Sequence, residues 1–335
     1  MAFIFLMGIV SLFSDMTHEG ARSIIGAYLT LAGASAAAIG FVSGLGEFLG
    51  YSLRLVSGFF ADKTKKYWPM TIVGYIIDVM AIPALALVPQ GGWKWACALM
   101  LIERIGKAIK KPAKDTLLSF AASQEGAGKS FALQELLDQI GAFLGPVILF
   151  LVLYLNKTAD TYRKYALCFA VLGIPAIITV VLLLIARRKY PNPEEFEPEA
   201  EEKTHFHFRH EFFVYIVAIS FFALGFIDFP IITMHTAKLK LVQDDVLPLL
   251  YAGAMAVDAV AALIFGWLYD RIGVKSLMLS TAISALFPLF IFGWGGKSKA
   301  ALFIGIALWG VGMGAQESTL KAAVCTFVPK QWRSS

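Results

Sequence analysis

Four ionisable side chains lie close together in a strongly apolar part of the sequence. The stretch SLFSDMTHEGARSIIGAYL, residues 11–29, contains Asp15, His18, Glu19 and Arg22. In a helix with 3.6 residues per turn these side chains fall within an arc of about 100°, so they share one face. Such a face can bind protons or a charged solute, or its members can pair with one another as a structural ion network. Both interpretations are open from the sequence.

The segments that carry these side chains are predicted membrane spans. The chain has 335 residues, of which 58% are hydrophobic and 16% are charged, whereas about 25% are charged in a typical soluble protein. Glycine and proline within the apolar segments, and the lack of an alternating strand pattern, favour helices over a barrel. The sequence therefore predicts an all-α polytopic membrane protein. The predicted spans are 3–30, 35–60, 68–88, 93–113, 131–155, 165–187, 211–235, 247–268, 275–294 and 300–325.

Charged groups on a span are expected to face a wet cavity or a partner charge, since each costs about 2.5–3.5 kcal/mol in lipid. The second span places Glu47 and Arg54 seven residues apart on one helix face. We expect them to pair with the first-span group, for example Glu47 with Arg22 and Arg54 with Asp15 or Glu19. A pair that faces the cavity could exchange partners when a proton or an anionic solute arrives.

Basic residues concentrate in alternate loops, such as Lys63, Lys65 and Lys66 after the second span. This bias predicts a cytoplasmic N-terminus in a cell membrane, either the plasma membrane or a bacterial inner membrane. It also accounts for the net charge of +5 without a nucleic-acid partner. Residues 188–210 are rich in glutamate and proline, so we predict a cytoplasmic linker between a six-helix bundle at 1–187 and a second bundle at 211–335.

A repeat relates the two predicted bundles. GFFADKTKKYW begins at Gly58 and GWLYDRIGVKS begins at Gly266, 208 residues later. Both segments follow an apolar span and read G-x-x-x-D-[KR], followed by at least one further lysine. The repeated positions are Gly58, Asp62 and Lys63 in the first loop, and Gly266, Asp270 and Arg271 in the second.

Two such loops after the second and eighth spans resemble the major facilitator superfamily of transporters. The resemblance implies the major facilitator fold, in which two pseudo-symmetric helical bundles open a central site alternately to each side. It also implies that Asp62 caps the family's eleventh helix and that Asp270 caps the fifth, near residues 128–131. By alignment of the halves, the second ends after its fourth span, so we expect about 10 of the family's 12 helices.

The fourth span adds Arg104 as a candidate for the central cavity. Its run ERIGKAIKKPAKDTLLSF resembles a segment in one branch of the superfamily. The lysines that follow are predicted to reach the inner membrane surface and to contact lipid phosphate. They are Lys107, Lys110, Lys111 and Lys114. The position of Asp78 on the third span is left open, because this helix is often peripheral in the family.

The fifth span contributes Gln134 and Asp138, one helical turn apart, to the predicted substrate and proton pathway. Gly141, Gly145 and Pro146 follow as G-x-x-x-G-P, which resembles the first part of the superfamily's antiporter signature. Small residues four apart permit close helix packing. The later spans supply three further pathway candidates, Asp228, Asp258 and Glu317.

These features predict a secondary transporter that moves a small solute by alternating access, coupled to protons. The alternative is a truncated, non-transporting remnant or scaffold of the same fold. The sequence contains no HExxH, GxSxG or P-loop motif, so we expect no enzyme and no catalytic residue, cofactor or metal site. The expected partners are a small-molecule substrate, protons and the lipid bilayer, with the protein as a monomer.

Overall fold

The computed structural model describes residues 2–125, 127–156, 160–192, 210–273 and 275–327, and within them the side chains outside 121–132, 210–212 and 317–327. These ranges are helical and contain no strand. The helices are α1 Ala2–Leu31, α2 Ala36–Thr64, α3 Tyr67–Ala84, α4 Trp93–Glu125, α5 Ala127–Leu155, α6 Thr161–Lys189, α7 His210–Gly225, α8 Phe229–Lys238, α9 Leu247–Ile272, α10 Lys275–Ser284 and α11 Lys299–Phe327. A 3₁₀ turn at Leu85–Leu87 extends α3, and a π-helical turn at Leu289–Trp294 follows α10.

The prediction of an all-helical, multi-pass membrane protein is confirmed. Within the described chain, nine helical segments are long and apolar enough to cross a membrane. The remaining predicted span falls on α4, which has 33 residues and therefore sufficient length. Its charged residues set it apart from the other nine, and the interior of the bundle accommodates several of them.

The predicted seventh span is not one continuous helix. Its residues form α7 and α8, which are separated by residues 226–228. Pro230 lies in the first turn of α8, where a missing backbone N–H is tolerated, whereas the same proline would disrupt the interior of a longer helix. The seventh predicted span is therefore divided between two helices within one apolar segment, Phe213–Lys238, that is long enough to cross a membrane, and Asp228 lies in the break.

The ends of α2 and α9 show the predicted repeat in their backbone geometry. Lys65 and Gly273, 208 residues apart, have φ angles of 51° and 60°. Their backbone N–H groups donate at 2.8 Å to the carbonyls of Ala61 and Tyr269, each four residues earlier. The left-handed conformation costs a non-glycine residue about 1–2 kcal/mol. The first loop therefore holds a lysine where the second loop has the less strained glycine.

The chain divides into two compact units. The first comprises Met1–Glu199 and Phe229–Leu249, and so includes α1–α6 together with α8. The second comprises Ala200–Asp228 and Leu250–Ser335, and so includes α7 and α9–α11. Packing thus groups α8 with the first unit, whereas the sequence assigned all of 211–335 to the second bundle.

A hydrophobic core in the first unit holds α1 against α3, α4 and α6. Ile4, Tyr75, Leu117 and Leu183 belong to this core and are each at most 1% exposed. The polar face predicted on α1 begins at Asp15, about three turns beyond Ile4. The same core that aligns α1 with α3 and α4 therefore also positions the charged side chains that these helices carry.

Candidate functional site

The site begins with a close crossing of α3 and α4. A Cβ atom added to Gly74 would lie 2.6 Å from the backbone nitrogen of Lys110, and one added to Gly106 would lie 2.5 Å from that of Asp78. Both distances are too short for a larger residue. Each glycine precedes a charged residue by four positions, so the crossing brings the side chains of Asp78 and Lys110 together.

His18 of α1 lies between two carboxylates. Its Nε2 atom is 2.7 Å from Oδ1 of Asp78, and its Nδ1 atom is 2.9 Å from Oε1 of Glu103. The three residues are 6%, 0% and 7% exposed, in that order. A protonated imidazole can donate to both carboxylates, whereas a neutral imidazole can donate to only one of them. The protonation state of His18 therefore determines how many of these contacts are favourable.

Two lysines of α4 extend this network along α1. Lys110 Nζ forms an ion pair with Asp78, donates to Ser14 Oγ at 3.0 Å and lies 4.1 Å from the ring centroid of Tyr75. Lys114 Nζ donates to Ser11 Oγ at 2.6 Å. These serines lie one and two turns before His18, so the polar face of α1 continues towards the helix N-terminus.

The predicted surface location is wrong for Lys110 and Lys114, since each is 5% exposed. The physical reason is compensation: Asp78 and the α1 hydroxyls receive the ammonium groups inside the bundle. Lys107 and Lys111 are only partly buried. Lys111 pairs with Asp115 at 3.7 Å, four residues further along α4.

Arg104 connects the network to α2. Its Nη2 atom lies 3.0 Å from Oε1 of Glu47, and its Nε atom lies 3.4 Å from Oε2 of Glu103. Glu47 therefore pairs across to α4, and the guanidinium of Arg54 lies 4.8 Å above the ring of Tyr51 on its own helix. Two carboxylates on different helices thus share one guanidinium, which is an arrangement that permits partner exchange.

A cavity of about 50 Å³ adjoins the His18–Glu103 contact. This volume is sufficient for a few water molecules, because one water molecule needs roughly 10–15 Å³ of cavity volume. Apolar residues of α1, α3 and α4 and Pro230 of α8 form the rest of its wall. The polar lining consists of His18, Glu19, Arg22, Glu103, Arg104 and Lys107.

Several other predicted residues surround this centre. Asp15 is half-buried within electrostatic range of Lys110 and Lys114. Gln134 of α5 is 8% exposed, and its Nε2 atom donates to Ser11 Oγ at 3.2 Å. Asp138 lies one turn further along α5 within electrostatic range of Asp15.

The outer end of the polar face on α1 carries a looser ion pair. Nη1 of Arg22 lies 3.8 Å from Oε2 of Glu19, three residues earlier on the same helix, and both side chains are partly exposed. This pair corresponds to the structural interpretation that the sequence left open for these two residues. His18 instead makes the contacts to α3 and α4, so the four-residue group of α1 divides into two parts.

The glycines of α5 pack against α1. A Cβ at Gly141 would collide with the Leu12 carbonyl, and one at Gly145 would collide with the carbonyl of Met16. Pro146 lies inside α5, directly after this contact. This close approach allows Gln134, which is on the same helix, to reach Ser11.

Three of the predicted residues, Asp228, Asp258 and Glu317, belong to the second unit, whereas the network around His18 belongs to the first. Asp258 on α9 is 1% exposed, and Gly314 of α11 packs against its backbone carbonyl. Asp228 is partly buried in the break between α7 and α8. The side chain of Glu317 lies outside the described residues, so its predicted role stays a prediction.

The switch-loop residues lie at helix ends. Asp62 and Lys63 are exposed, as are Asp270 and Arg271. Arg271 lies 4.1 Å above the ring of Trp267. Gly58 lies against Pro112 of α4, whose Cβ atom would be 3.6 Å from a Cβ atom added to the glycine. Gly266 is partly buried on α9. The predicted cap between Asp270 and residues 128–131 involves side chains outside the described set.

One group of metal-ligating residues occurs among the described side chains. Donor atoms of His18, Asp78 and Glu103 all lie within 4.8 Å of one another. However, both imidazole nitrogens already face carboxylates, and Lys110 and Arg104 already pair with Asp78 and Glu103. A divalent cation would have to displace these internal cations, so we interpret the group as an internally compensated ion network.

Sequence reasoning missed the central position of Asp78. The available signal was a glycine four residues before a charge on each of two consecutive spans, Gly74 before Asp78 and Gly106 before Lys110. A small residue one turn from a charge permits close helix approach at the same level as that charge. This pattern marks where two spans can share a buried ion pair.

Together, the fold and the site define a multi-pass helical membrane protein with a charged interior that borders a small cavity, a class that includes solute transporters. The sequence profile of the Major Facilitator Superfamily matches residues 1–335. The chain therefore belongs to the major facilitator superfamily, and the resemblance proposed from the two loops is confirmed.

Individual proteins agree with this assignment. An uncharacterised protein of Mycobacterium tuberculosis (strain ATCC 25618 / H37Rv) is 38% identical over 342 residues, which cover 99% of this chain and 80% of that protein. A mutant of a nucleoside transporter aligns with a TM-score of 0.71 at 13% identity, over 99% of this chain and 85% of its own. A D-xylose–proton symporter aligns with a TM-score of 0.64 at 13% identity, over 99% and 83%. The structural alignments show the shared transporter fold.

Proposed function

We propose that this protein is a proton-coupled secondary transporter that moves a small solute by alternating access, with His18 as the proton-binding residue. One observation carries the proposal: a buried imidazole faces a carboxylate at each ring nitrogen and borders a cavity large enough for water. An ionisable residue inside a membrane bundle is expensive and therefore points to function. Histidine is the side chain whose charge changes most readily near neutral pH.

The two carboxylates that face His18 each pair with a cation as well. Lys110 pairs with Asp78, and Arg104 pairs with Glu103, so a proton on the imidazole adds one positive charge to an ion network that already contains both signs. Since one charge in a low-dielectric interior has a large effect, proton binding can bias two arrangements of the helices.

Arg104 offers a route from the proton to helix movement. A protonated His18 competes with Arg104 for Glu103, which leaves the guanidinium to Glu47 on α2. When the proton leaves, Glu103 attracts Arg104 more strongly and the α2–α4 contact weakens. Because Asp62 lies in the last turn of α2, this exchange would affect one of the two predicted switch segments.

The wider setting is consistent with this mechanism. The same fold serves a D-xylose–proton symporter among the solved structures. The mixed charges of the first unit suit a small polar or amphipathic solute. We place the protein in a cell membrane, the plasma membrane or a bacterial inner membrane, with its N-terminus in the cytoplasm. The basic residues near the ends of α2, α4 and α6 support this orientation.

The test measures solute-driven proton movement in proteoliposomes that contain a pH-sensitive dye. The solute panel comprises nucleosides, pentoses, small organic acids and lipophilic cations. We expect at least one class to acidify or alkalinise the lumen with the wild-type protein. The His18→Gln variant should lose this proton flux by at least tenfold, and the matched control His235→Gln on α8 should retain it.

Three outcomes would contradict the proposal. Solute uptake that does not respond to a pH gradient would exclude proton coupling. Equal proton flux in wild-type and His18→Gln protein would exclude His18 as the binding residue. A readout that needs no solute is the imidazole NMR signal assigned by its loss in His18→Gln. This signal should shift between about pH 5 and 9, and a signal that does not titrate would also overturn the role of His18.

A further inference from the structure

A second cavity, separate from the His18 network, opens where α3 begins and α6 ends. Its volume is about 850 Å³, far larger than the 50 Å³ of the cavity beside His18. Three basic side chains, Lys65, Arg187 and Arg188, line it together with apolar residues of α3, α4 and α6. None of its described lining residues is acidic. The cavity therefore combines a cationic rim with an apolar wall, and we call it the basic groove.

A hydrogen bond and aromatic contacts join the helices that form the groove. Trp68 Nε1 donates to the backbone carbonyl of Tyr190 at 3.0 Å, which joins the start of α3 to the end of α6. Phe3 of α1 packs edge-on against both aromatic rings, with centroid distances of 6.2 Å and 5.1 Å. Leu117 forms part of the floor and is completely buried. A preformed groove of this kind loses little conformational entropy when it binds a ligand.

Lys65 gives an independent indication that the charge of the rim matters. It adopts the left-handed backbone conformation that Gly273 adopts at the repeated position of the second loop. Glycine would occupy this position with less strain. A strained residue that also lines a cavity suggests that its side chain serves a function there.

We propose that the basic groove binds the phosphate headgroup of an anionic phospholipid. Guanidinium and ammonium groups complement a phosphate, and the exposed side chains of Pro69 and Leu184 offer apolar surface to the glycerol and upper acyl chain. Aromatic residues and basic clusters at the ends of spans are the features that recognise such headgroups. With a cytoplasmic N-terminus, the lipid belongs to the inner leaflet. This inference does not depend on proton coupling.

The test uses the full chain in nanodiscs that contain phosphatidylcholine and phosphatidylglycerol. Native mass spectrometry counts the lipids that each variant retains. We expect wild-type protein to retain phosphatidylglycerol selectively. Each cation near the headgroup contributes about fivefold in affinity, so the double variant Arg187→Gln/Arg188→Gln should bind about 25-fold more weakly. The control Arg163→Gln/Lys164→Gln, at the opposite end of α6, should bind as the wild-type protein does.

The variant Lys65→Gly separates binding from folding. It removes one charge of the rim and relieves the left-handed strain at the same position, so thermal stability should stay equal or rise while the affinity for phosphatidylglycerol falls about fivefold. A general loss of structure would instead lower stability and binding together. Such a parallel loss would remove Lys65 from the proposed site.

Three results would overturn the lipid assignment. Equal retention of phosphatidylglycerol and phosphatidylcholine would mean adventitious amphiphile binding only. Displacement of the lipid by millimolar inorganic phosphate would indicate a site for a soluble phosphate compound. The six glutamates of residues 194–202 follow the groove in sequence. If wild-type protein shows no selectivity and their replacement by glutamine reveals it, the occupant of the groove is this acidic segment.

Discussion

The interiors of the two units have different chemistry. Among the described side chains, the buried Asp, Glu, His and Lys residues of the first unit are His18, Asp78, Glu103, Lys110 and Lys114, whereas the second unit has Asp258. The interior of the second unit includes a group of aromatic contacts. Trp309 stacks on Phe226 with a centroid distance of 5.7 Å, and its Nε1 atom donates to the Ile227 carbonyl at 2.8 Å.

In both units, glycine residues nevertheless allow two helices to pack closely. Gly74 and Gly106 allow α3 and α4 to cross closely in the first unit, and Gly310 allows α11 to approach the backbone of α9 at Ala254 in the second. Close helix packing therefore does not require a charged interior. Since a buried ion pair adds little stability compared with apolar residues of the same volume, the charges of the first unit point to function.

The largest expected effect that tests this comparison is the loss of one charge from the network. Asp78→Asn leaves the Lys110 ammonium without its anionic partner and His18 with Glu103 alone, so the free energy of unfolding in detergent should fall by about 3–5 kcal/mol. Chemical denaturation followed by circular dichroism measures this change. The double variant Asp78→Asn/Lys110→Met should recover part of the loss because it also removes the unpaired cation. A single variant within about 1 kcal/mol of wild type would contradict the network.

An intermediate effect is expected at the crossing that positions the network. Gly106→Ala places a methyl group against the Asp78 backbone, which should cost about 1–3 kcal/mol as α3 and α4 move apart. The control is Gly44→Ala in α2, where nothing lies within 4 Å of the added carbon. That control should be neutral or slightly stabilising through helix propensity. Equal unfolding curves for the two variants would refute the close crossing.

The smallest effect on stability is expected in the second unit. Trp309→Phe keeps most of the ring packing but removes the donor to the Ile227 carbonyl, which should cost about 1 kcal/mol. Trp95→Phe provides the control, since Trp95 is 71% exposed and should change stability by no more than about 0.5 kcal/mol. A loss as large as that of Asp78→Asn would show that the two interiors are equally sensitive.

The sequence correctly indicated the class, the helical fold and the family. Long apolar segments report membrane spans directly, because the hydrocarbon thickness sets their length. The paired loops at Gly58 and Gly266 identified the superfamily. Helix periodicity placed His18 and Arg22 on one face of α1, because 3.6 residues per turn fixes the angle between side chains. The break in the seventh span was missed, although Pro230 was a visible signal for it.

Only the tertiary structure decided which charges meet. The periodicity of α1 gives no information on whether His18 faces Asp78, 60 residues away in the sequence, or Glu103, 85 residues away. The answer depends on which helices are neighbours and how closely they cross, and glycines 74 and 106 set that distance through long-range packing. The same packing placed Lys110 in the interior, although composition alone predicted the membrane surface. Local sequence fixes the direction of a side chain, but its partner is determined by the packing of distant segments.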